Sequence, residues 1–446
     1  MGKFTLVNLS TPRNASSGFA RESTETDIFS NIRKKSLSPK IDLNANLPLS
    51  KNQTLTLGVH GKYSANSYHR LYQEQPFEAI TDEDEKALSF QLSAIYNYFS
   101  QKHFLSVELF HYHDVWNADY SGNCELWQHL WKGESLAFFS YNFQASRRLS
   151  LKTRIGLDWL QYHLHGDNSF SQLSPRINTN VQYQLNKGML LWSFNFVNSN
   201  HGMDVINRAM IQINSHMMEK GMPELKKSHD INTYLYYMGR FNRLSVSAIG
   251  QFRYNHHPVT DDYYLDEANG KIVKTYSNGG NAQYYSAIFA LQYKLCKFAN
   301  LSGDIRYNHA DVKTTWSMHN NNLTGNLGLN MFMGDFALKP YLHFGKKSLD
   351  EAALVISKTP IDYGMSCSYS RGNLYVELQA ASPFKKQEKR YWLDLPIYSY
   401  SKSIKDQTAS QYASIKVAYS FDFGRKTQKV EKDVNKNINS SLLRVE

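Results

Sequence analysis

With 446 residues, the chain is long enough for two or three ordinary soluble domains or for one large barrel. Mean hydropathy is −0.52, and the longest apolar runs, 189–192 and 352–356, fall far short of the roughly 18 residues a spanning helix needs; this excludes a helical membrane protein but not a β-barrel, whose polar lumen face averages out the lipid face. The net charge of +11 is dispersed, with only short basic clusters at 33–35 and 385–390, so nucleic acid is not an expected partner.

Three widely spaced cysteines, Cys124, Cys296 and Cys367, match neither a disulfide framework nor a metal pattern. Residues 1–8 place one Lys before an apolar patch too short for the core of a secretory signal, with no small-residue cleavage site. Leu6 stands where a myristoylation motif requires Ser or Thr.

Apolar and polar residues alternate from the first strands onward, the period of a sheet with one greasy and one wet face. The pattern predicts strands over 3–9, 39–47 and 54–63, the last two joined by the tight link 48–53. A long polar segment, 64–86, follows. Residues 88–99 turn at 100–102 into a strand beginning near His103, and a long loop, 116–132, holds Trp127 and Trp131. Residues 135–143 turn at 145–148 into a strand in which Leu151, Ile155, Leu157 and Trp159 oppose Lys152, Arg154 and Asp158. In the next strand Ile177, Thr179, Val181, Tyr183 and Leu185 oppose Arg176, Asn178, Asn180, Gln182 and Gln184. Asn186-Lys187-Gly188 then reads as a hairpin turn whose Asn and Gly supply positive φ.

The strand 190–197 leads into 198–227, where 205–218 reads as a short helix. Four pairs follow: 231–237 with 244–254, 285–295 with 301–307, 323–331 with 336–344, and 363–369 with 374–380. The final strand, 415–423, comes after the long segment 381–410. In it Ile415, Val417, Tyr419, Phe421 and Phe423 alternate with Lys416, Ala418, Ser420 and Asp422. Residues 1–426 are thus expected to form one barrel unit, and 427–446, charged, Asn-rich and aperiodic, a disordered polar tail.

The count is about 18 strands, with each tight turn followed by a longer connection. A soluble meander has no reason for that asymmetry, because both ends of its sheet meet the same solvent. A transmembrane antiparallel up-and-down β-barrel does, with short turns on the periplasmic side and long loops outside. Lipid also forbids an open sheet edge, since unpaired backbone groups cannot sit in hydrocarbon. At this strand number the lumen is too wide for side chains to fill, so the architecture implies passage.

The closing segment carries Tyr363-Gly364-Met365, then Gly372-Asn373-Leu374-Tyr375-Val376, then Ser382-Pro383-Phe384, and finally the run from Val417 to Lys426. It resembles the end of TonB-dependent outer-membrane receptors of the Bacteroidota type, and upstream Gly221-Met222-Pro223-Glu224-Leu225-Lys226 is similar to the Gly-Asn-Pro-x-Leu-Lys element of that family, so that the resemblance covers much of the second half of the chain. The resemblance implies a barrel of about 22 strands, of which about 18 are present here, so the expectation is a partial barrel without plug or export signal. It implies as partners the outer-membrane lipid, an unknown substrate and, in a full-length form, a plug domain and the TonB energiser. The function implied is uptake of a large or scarce substrate. The alternatives are a free-standing porin-like diffusion channel and a surface binding or adhesion barrel.

Aromatic residues in or beside the predicted outer loops, Trp116, Tyr120, Trp127, Trp131, Trp316, Tyr391 and Trp392, are the candidate substrate contacts. His111 and His113, and His163 and His165, continue lipid-facing rows and should point outward rather than ligate a metal. Lys152, Arg154, Asp158, Arg176, Asp304, Arg306 and Lys416 face inward, to solvate the lumen or meet a plug. No nucleophile–base or phosphate-cradling pattern occurs at informative spacing, so neither catalysis, a metal nor a cofactor is expected.

Overall fold

In the computed structural model, the described residues are 2–21, 24–167, 169–199, 201–384, 388–405 and 411–421. Nine strands open the chain: β1 (Gly2–Arg21), β2 (Thr24–Ser50), β3 (Gln53–Glu74), β4 (Phe77–Phe99), β5 (His103–Gly122), β6 (Leu126–Gln144), β7 (Leu149–Leu164), β8 (Ser169–Leu185) and β9 (Gly188–Ser199). An excursion then holds one helical turn, α1 (Met203–Ile206), and two short strands, β10 (Met210–Gln212) and β11 (Met217–Lys220). Wall strands β12 (Ser228–Phe241) and β13 (Leu244–His256) precede a second excursion, β14 (Thr260–Asp266) and β15 (Lys271–Ser277). The wall resumes with β16 (Asn281–Cys296), β17 (Ala299–Lys313), β18 (Ser317–Met333) and β19 (Phe336–His343), and a third excursion adds β20 (Lys346–Asp350) and β21 (Val355–Thr359). Wall strands β22 (Asp362–Arg371) and β23 (Leu374–Ala381), excursion strands β24 (Lys389–Asp394) and β25 (Ser399–Ile404), and a last wall strand β26 (Tyr412–Tyr419) complete the chain.

The wall is one 18-stranded antiparallel sheet in which each wall strand pairs with the next one along the chain. Among the described residues no ladder joins β26 to β1. The pleat separates two environments. Leu109, Leu157, Leu235, Phe289, Ile305 and Leu323 stand exposed on one face, the apolar belt of a lipid-facing wall. Their neighbours in sequence, such as Glu108, Asp158, Asp304 and Asn322, point to the other face.

The turns at the inner end are short, as predicted: β12 meets β13 across Asn242 and Arg243, and β22 meets β23 across Gly372 and Asn373. Asn242 (φ 50°), Gly334 (φ 62°) and Gly372 (φ 58°) supply the left-handed backbone there. The reading of Asn186-Lys187-Gly188 is corrected on this point, since neither Asn186 nor Gly188 has positive φ. Gly188 instead opens β9, where a Cβ would collide with the carbonyl oxygen of Met238 on the paired strand.

At the outer end, most of what read as loop is strand. Segment 64–86 continues the ladder of β3 and β4 up to the turn at Gln75 and Pro76. Segment 116–132 belongs to β5 and β6 with a turn at 123–125, and β1 and β2 run on to Arg21 and Thr24. The alternation fades there because the outward row of β4 becomes Asp82, Asp84 and Lys86 once it clears the hydrocarbon, while backbone pairing, which needs no apolar face, carries on. The helix expected over 205–218 is reduced to α1 followed by β10 and β11. The last wall strand ends at Tyr419; Asp422, Phe423 and the tail 427–446 lie outside the described residues.

Two four-stranded sheets complete the fold, β10-β11-β15-β14 and β20-β21-β24-β25. Each joins two excursions that are distant in sequence, the first through a parallel pairing of β11 with β15 and the second through β21 with β24.

Candidate functional site

Below the rim, the inward face is a wall of amides and ion pairs. Asn178 donates to Asn195, and Asn180 Nδ2 to Asn178 Oδ1 at 2.8 Å. Arg154 meets Glu108 at 2.5 Å with its guanidinium 3.6 Å from the Phe138 ring centre. Arg306 meets Asp304 at 2.7 Å, and Asn326 Nδ2 donates to the same carboxylate at 2.9 Å. Arg154, Asp304 and Arg306 thus sit in ion pairs on the inward face, and Asp158 there is buried beside Arg176.

Above the lipid belt the inward face turns apolar, and the first excursion covers it. Tyr120, Leu130, Leu160 and Leu164 form a buried cluster with Met203, Ile206, Ala209 and Ile211. The helical turn and β10 therefore lie across the lumen side of β5 to β7, where their apolar residues leave water together with those of the wall. Polar anchors fix the register. Asn207 Nδ2 donates to Tyr120 Oη at 2.6 Å, and Gln128 donates to Asn207. The Arg70 guanidinium donates to the carbonyls of Gln212 and Ile213 at 3.1 and 2.6 Å. At the end of the excursion, Lys227 Nζ lies 2.9 Å from Asp158 Oδ2, both side chains fully buried, and Arg176 donates to that oxygen at 2.7 Å.

Under the same excursion two carboxyl groups share the inward face of β4. Tyr120 Oη donates to Glu83 Oε1 at 2.9 Å, and Asn66 Nδ2 donates to Glu85 Oε1 at 2.7 Å. Burial, reinforced by Glu85, pushes the Glu83 carboxyl up to about 8. Burial next to Glu83 also raises the Tyr120 phenol well above its ordinary value.

The other three excursions close the opposite side of the mouth. Leu354, Leu393, Leu395 and Tyr263 are buried against Ala282 and Val312 of the wall. Lys274 Nζ bridges Asp261 Oδ2 at 3.2 Å and Glu219 Oε1 at 3.4 Å, tying the second excursion to the first. Burial alone would lower the Lys274 ammonium, but Asp261 and Glu219 hold it above its ordinary value. Burial likewise brings Asp261 up to about 6 against the pull of Lys274. The Asp261 backbone N–H donates to the Ala352 carbonyl at 2.6 Å, joining the second excursion to the third. The four excursions are thus one interlocked cap.

The sequence-predicted aromatic residues divide into three groups. Tyr120 lies within the first buried cluster and Trp116 packs against it. Trp316 packs on the second, with Nε1 donating to Asp262 Oδ1 at 2.8 Å. Tyr391 and Trp392 lie on β24 opposite Ser357 and Ile356, and Lys347 Nζ sits 5.8 Å from the Trp392 ring centre. Trp127 and Trp131 occupy the outward row of β6, apart from the others, against His165 and His113 respectively. Lys227, Arg70, Asn207 and Glu83 were not singled out from sequence. Only Glu83 carried a signal, its shared face with Glu85 two residues on.

The chain resembles several solved structures in fold. The copper transporter OprC aligns with a TM-score of 0.56 at 10% identity, over 86% of this chain and 74% of that one. The siderophore receptor PiuA from Acinetobacter baumannii aligns with a TM-score of 0.54 at 9% identity, over 94% and 74%. The ferric yersiniabactin uptake receptor FyuA from Yersinia pestis aligns with a TM-score of 0.57 at 10% identity, over 94% and 68%. No family model and no curated protein matches the chain in sequence. At these identities the likeness is one of fold: the chain is a transmembrane antiparallel up-and-down β-barrel, as the alternation and the unequal rims predict.

Proposed function

We propose that the chain serves outer-membrane transport, as the barrel part of a TonB-dependent receptor that imports a large or scarce substrate. The observation that carries this reading is the cap, in which four excursions pair with one another and rest on the inner wall through buried apolar clusters and the Lys227–Asp158 contact. A channel for free diffusion needs an open mouth, whereas an importer of scarce cargo needs one that yields when cargo arrives. The structural neighbours, a copper transporter, a siderophore receptor and a ferric yersiniabactin uptake receptor, support the same class. The partners that go with it are outer-membrane lipid, the substrate, a plug domain and the TonB energiser. Fold does not select cargo, so the substrate contacts are proposed by position: Trp316, Tyr391 and Trp392 on one side of the mouth, Trp116 and Tyr120 on the other.

Planar-bilayer conductance tests the reading. Refolded protein should pass little current, and replacing residues 203–222 with a flexible Gly/Ser segment of equal length should raise single-channel conductance severalfold. Large, steady conductance from the unaltered chain would mean a diffusion channel instead.

A further inference from the structure

The two sheets of the cap differ in charge. The strands of β10-β11-β15-β14 carry three Lys against four Asp and Glu, whereas those of β20-β21-β24-β25 carry six Lys and Arg against two Asp. In the second sheet the register collects half of those cations into one row. Lys347 on β20 is directly opposed to Lys358 on β21, Lys358 to Arg390 on β24, and Arg390 to Ser403 on β25. Directly opposed residues share a face. Neighbouring strands lie about 4.8 Å apart, so the three cations stand in a line about 10 Å long, and all three are exposed. The row begins at the barrel wall: Asn322 Oδ1 accepts the Lys347 backbone N–H at 2.8 Å and Asn320 Nδ2 donates to the Lys347 carbonyl at 3.3 Å, both from the lumen face of β18.

Like charges directly opposed across a ladder destabilise it. Lysines on edge strands are an ordinary guard against strand addition, but that accounts only for β20, since β21 and β24 have both edges paired. Internal neutralisation does not account for the row either. Among the described residues its one ion pair is Arg390 Nε with Glu388 Oε1 at 3.0 Å, and Glu388 also accepts from Ser403 Oγ at 2.6 Å. That carboxylate orients the guanidinium and leaves the Nη1 and Nη2 end, a fork that takes a carboxylate or phosphate in bidentate fashion. The next row on the same face is Leu349, Ile356, Trp392 and Ser401. Lys347 Nζ lies 5.8 Å from the Trp392 ring centre, so an apolar strip with one aromatic ring flanks the charges.

We infer that the face of β20-β21-β24-β25 carrying Lys347, Lys358 and Arg390 binds an oligoanion, a ligand with carboxylate, sulfate or phosphate groups in series. The ladder holds the backbone positions of the cations at fixed separation before the ligand arrives, so little of the binding free energy goes into ordering the site. Each acidic group that docks relieves repulsion within the row as well as making an opposite-charge contact. A lone anion meets one or two of the cations, whereas a series of acidic groups meets all three, which selects a chain of charges over inorganic phosphate. That the oligoanion is cargo rests on the transport reading; that it binds the row does not.

The test uses the full chain refolded in non-ionic detergent at low salt and titrated by calorimetry with trigalacturonate, tripolyphosphate, inorganic phosphate and the neutral maltotriose. Trigalacturonate and tripolyphosphate separate a carboxylated saccharide from a phosphate chain as the source of the charges. One or both should bind at micromolar concentration, with inorganic phosphate and maltotriose weaker by about 10-fold or more. Lys347→Gln combined with Arg390→Gln should weaken the tighter probe about 10-fold. Lys346→Gln combined with Lys389→Gln makes the same change of charge on the same two strands but on the opposite face, and should weaken it less than about 2-fold. Heat-modifiable migration on a gel reports that each variant is folded. No binding of either trianion by the unaltered chain, inorganic phosphate bound as tightly as the trianions, or equal loss in the two double variants overturns the assignment. None of these results bears on the transport reading, which bilayer conductance tests separately.

Discussion

The contact between Lys227 and Asp158 is where the cap is most exposed to a single change. The ammonium at the end of the first excursion sits 2.9 Å from a carboxylate on β7, neither having any access to solvent. Asp158→Asn removes the negative charge and keeps the shape. Arg176 still has Glu134 at 3.2 Å, but Lys227 is left buried without the anion it faces. Removing one partner of such a pair costs about 3–5 kcal/mol, and at about 1.4 kcal/mol per decade that amounts to a factor of roughly 10² to 4 × 10³ in an opening equilibrium. Leaving the wall rehydrates the ammonium, so the expected outcome is release of the excursion rather than loss of the barrel. Hydrogen exchange followed by mass spectrometry reads this directly, with amides in 203–222 losing protection by that factor while those of β16 and β17 do not change. Lys227→Met added to Asp158→Asn removes the stranded charge and should restore most of the protection. If the single variant exchanges like the unaltered chain, or the double variant is no better than the single, the pair does not hold the cap.

Other expectations follow from the same geometry. Glu83 has a folded value of about 8 against an ordinary 4.5, so the native state keeps a proton that the unfolded state gives up between those values; stability should therefore fall as pH rises from about 4.5 to about 8, by at most about 5 kcal/mol. Glu83→Gln should flatten that dependence in calorimetric unfolding at pH 5 and pH 8.5, and an equal slope in both proteins would count against the buried acid. Tyr120→Phe takes away both the donor to Glu83 and the acceptor for Asn207, and should loosen the first excursion by about 1–3 kcal/mol in the same exchange assay. Unchanged protection there would show that the hydroxyl anchors nothing. On the wall, Ile305→Arg places a charge in the lipid belt and should cost about 2–4 kcal/mol in urea-dependent folding into vesicles. Asn180→Arg, facing the lumen, should cost less than about 1 kcal/mol. Similar costs for the two would mean that inside and outside have been exchanged.

How much of this the sequence discloses depends on which solvent each stretch meets. Where one face of a strand touches hydrocarbon and the other water, the alternation is unambiguous, as from Ile177 to Leu185, and the inner turns fall out with it. Above the belt the contrast is gone. In β4 the outward residues become Asp82, Asp84 and Lys86 while the inward ones include Glu83 and Glu85, so no period distinguishes strand from loop, although the ladder to β3 continues unbroken to Phe77. The cap is harder still, because its strands are defined by partners far away. Met217 to Glu219 pair in parallel with Ile272 to Lys274, and nothing in either tripeptide specifies the other. Buried anchors such as Lys227 are illegible for a related reason. A lysine at the end of a polar loop reads as solvated, and only the placement of Asp158 on the lumen face of β7, beneath that loop, makes it a buried cation. Alternation reports the membrane, then, and the membrane is what places the cap beyond it. Asp158 is legible on the lumen face of β7, but its partner Lys227 lies where that report stops, so the structure rather than the pattern directs mutagenesis to the pair.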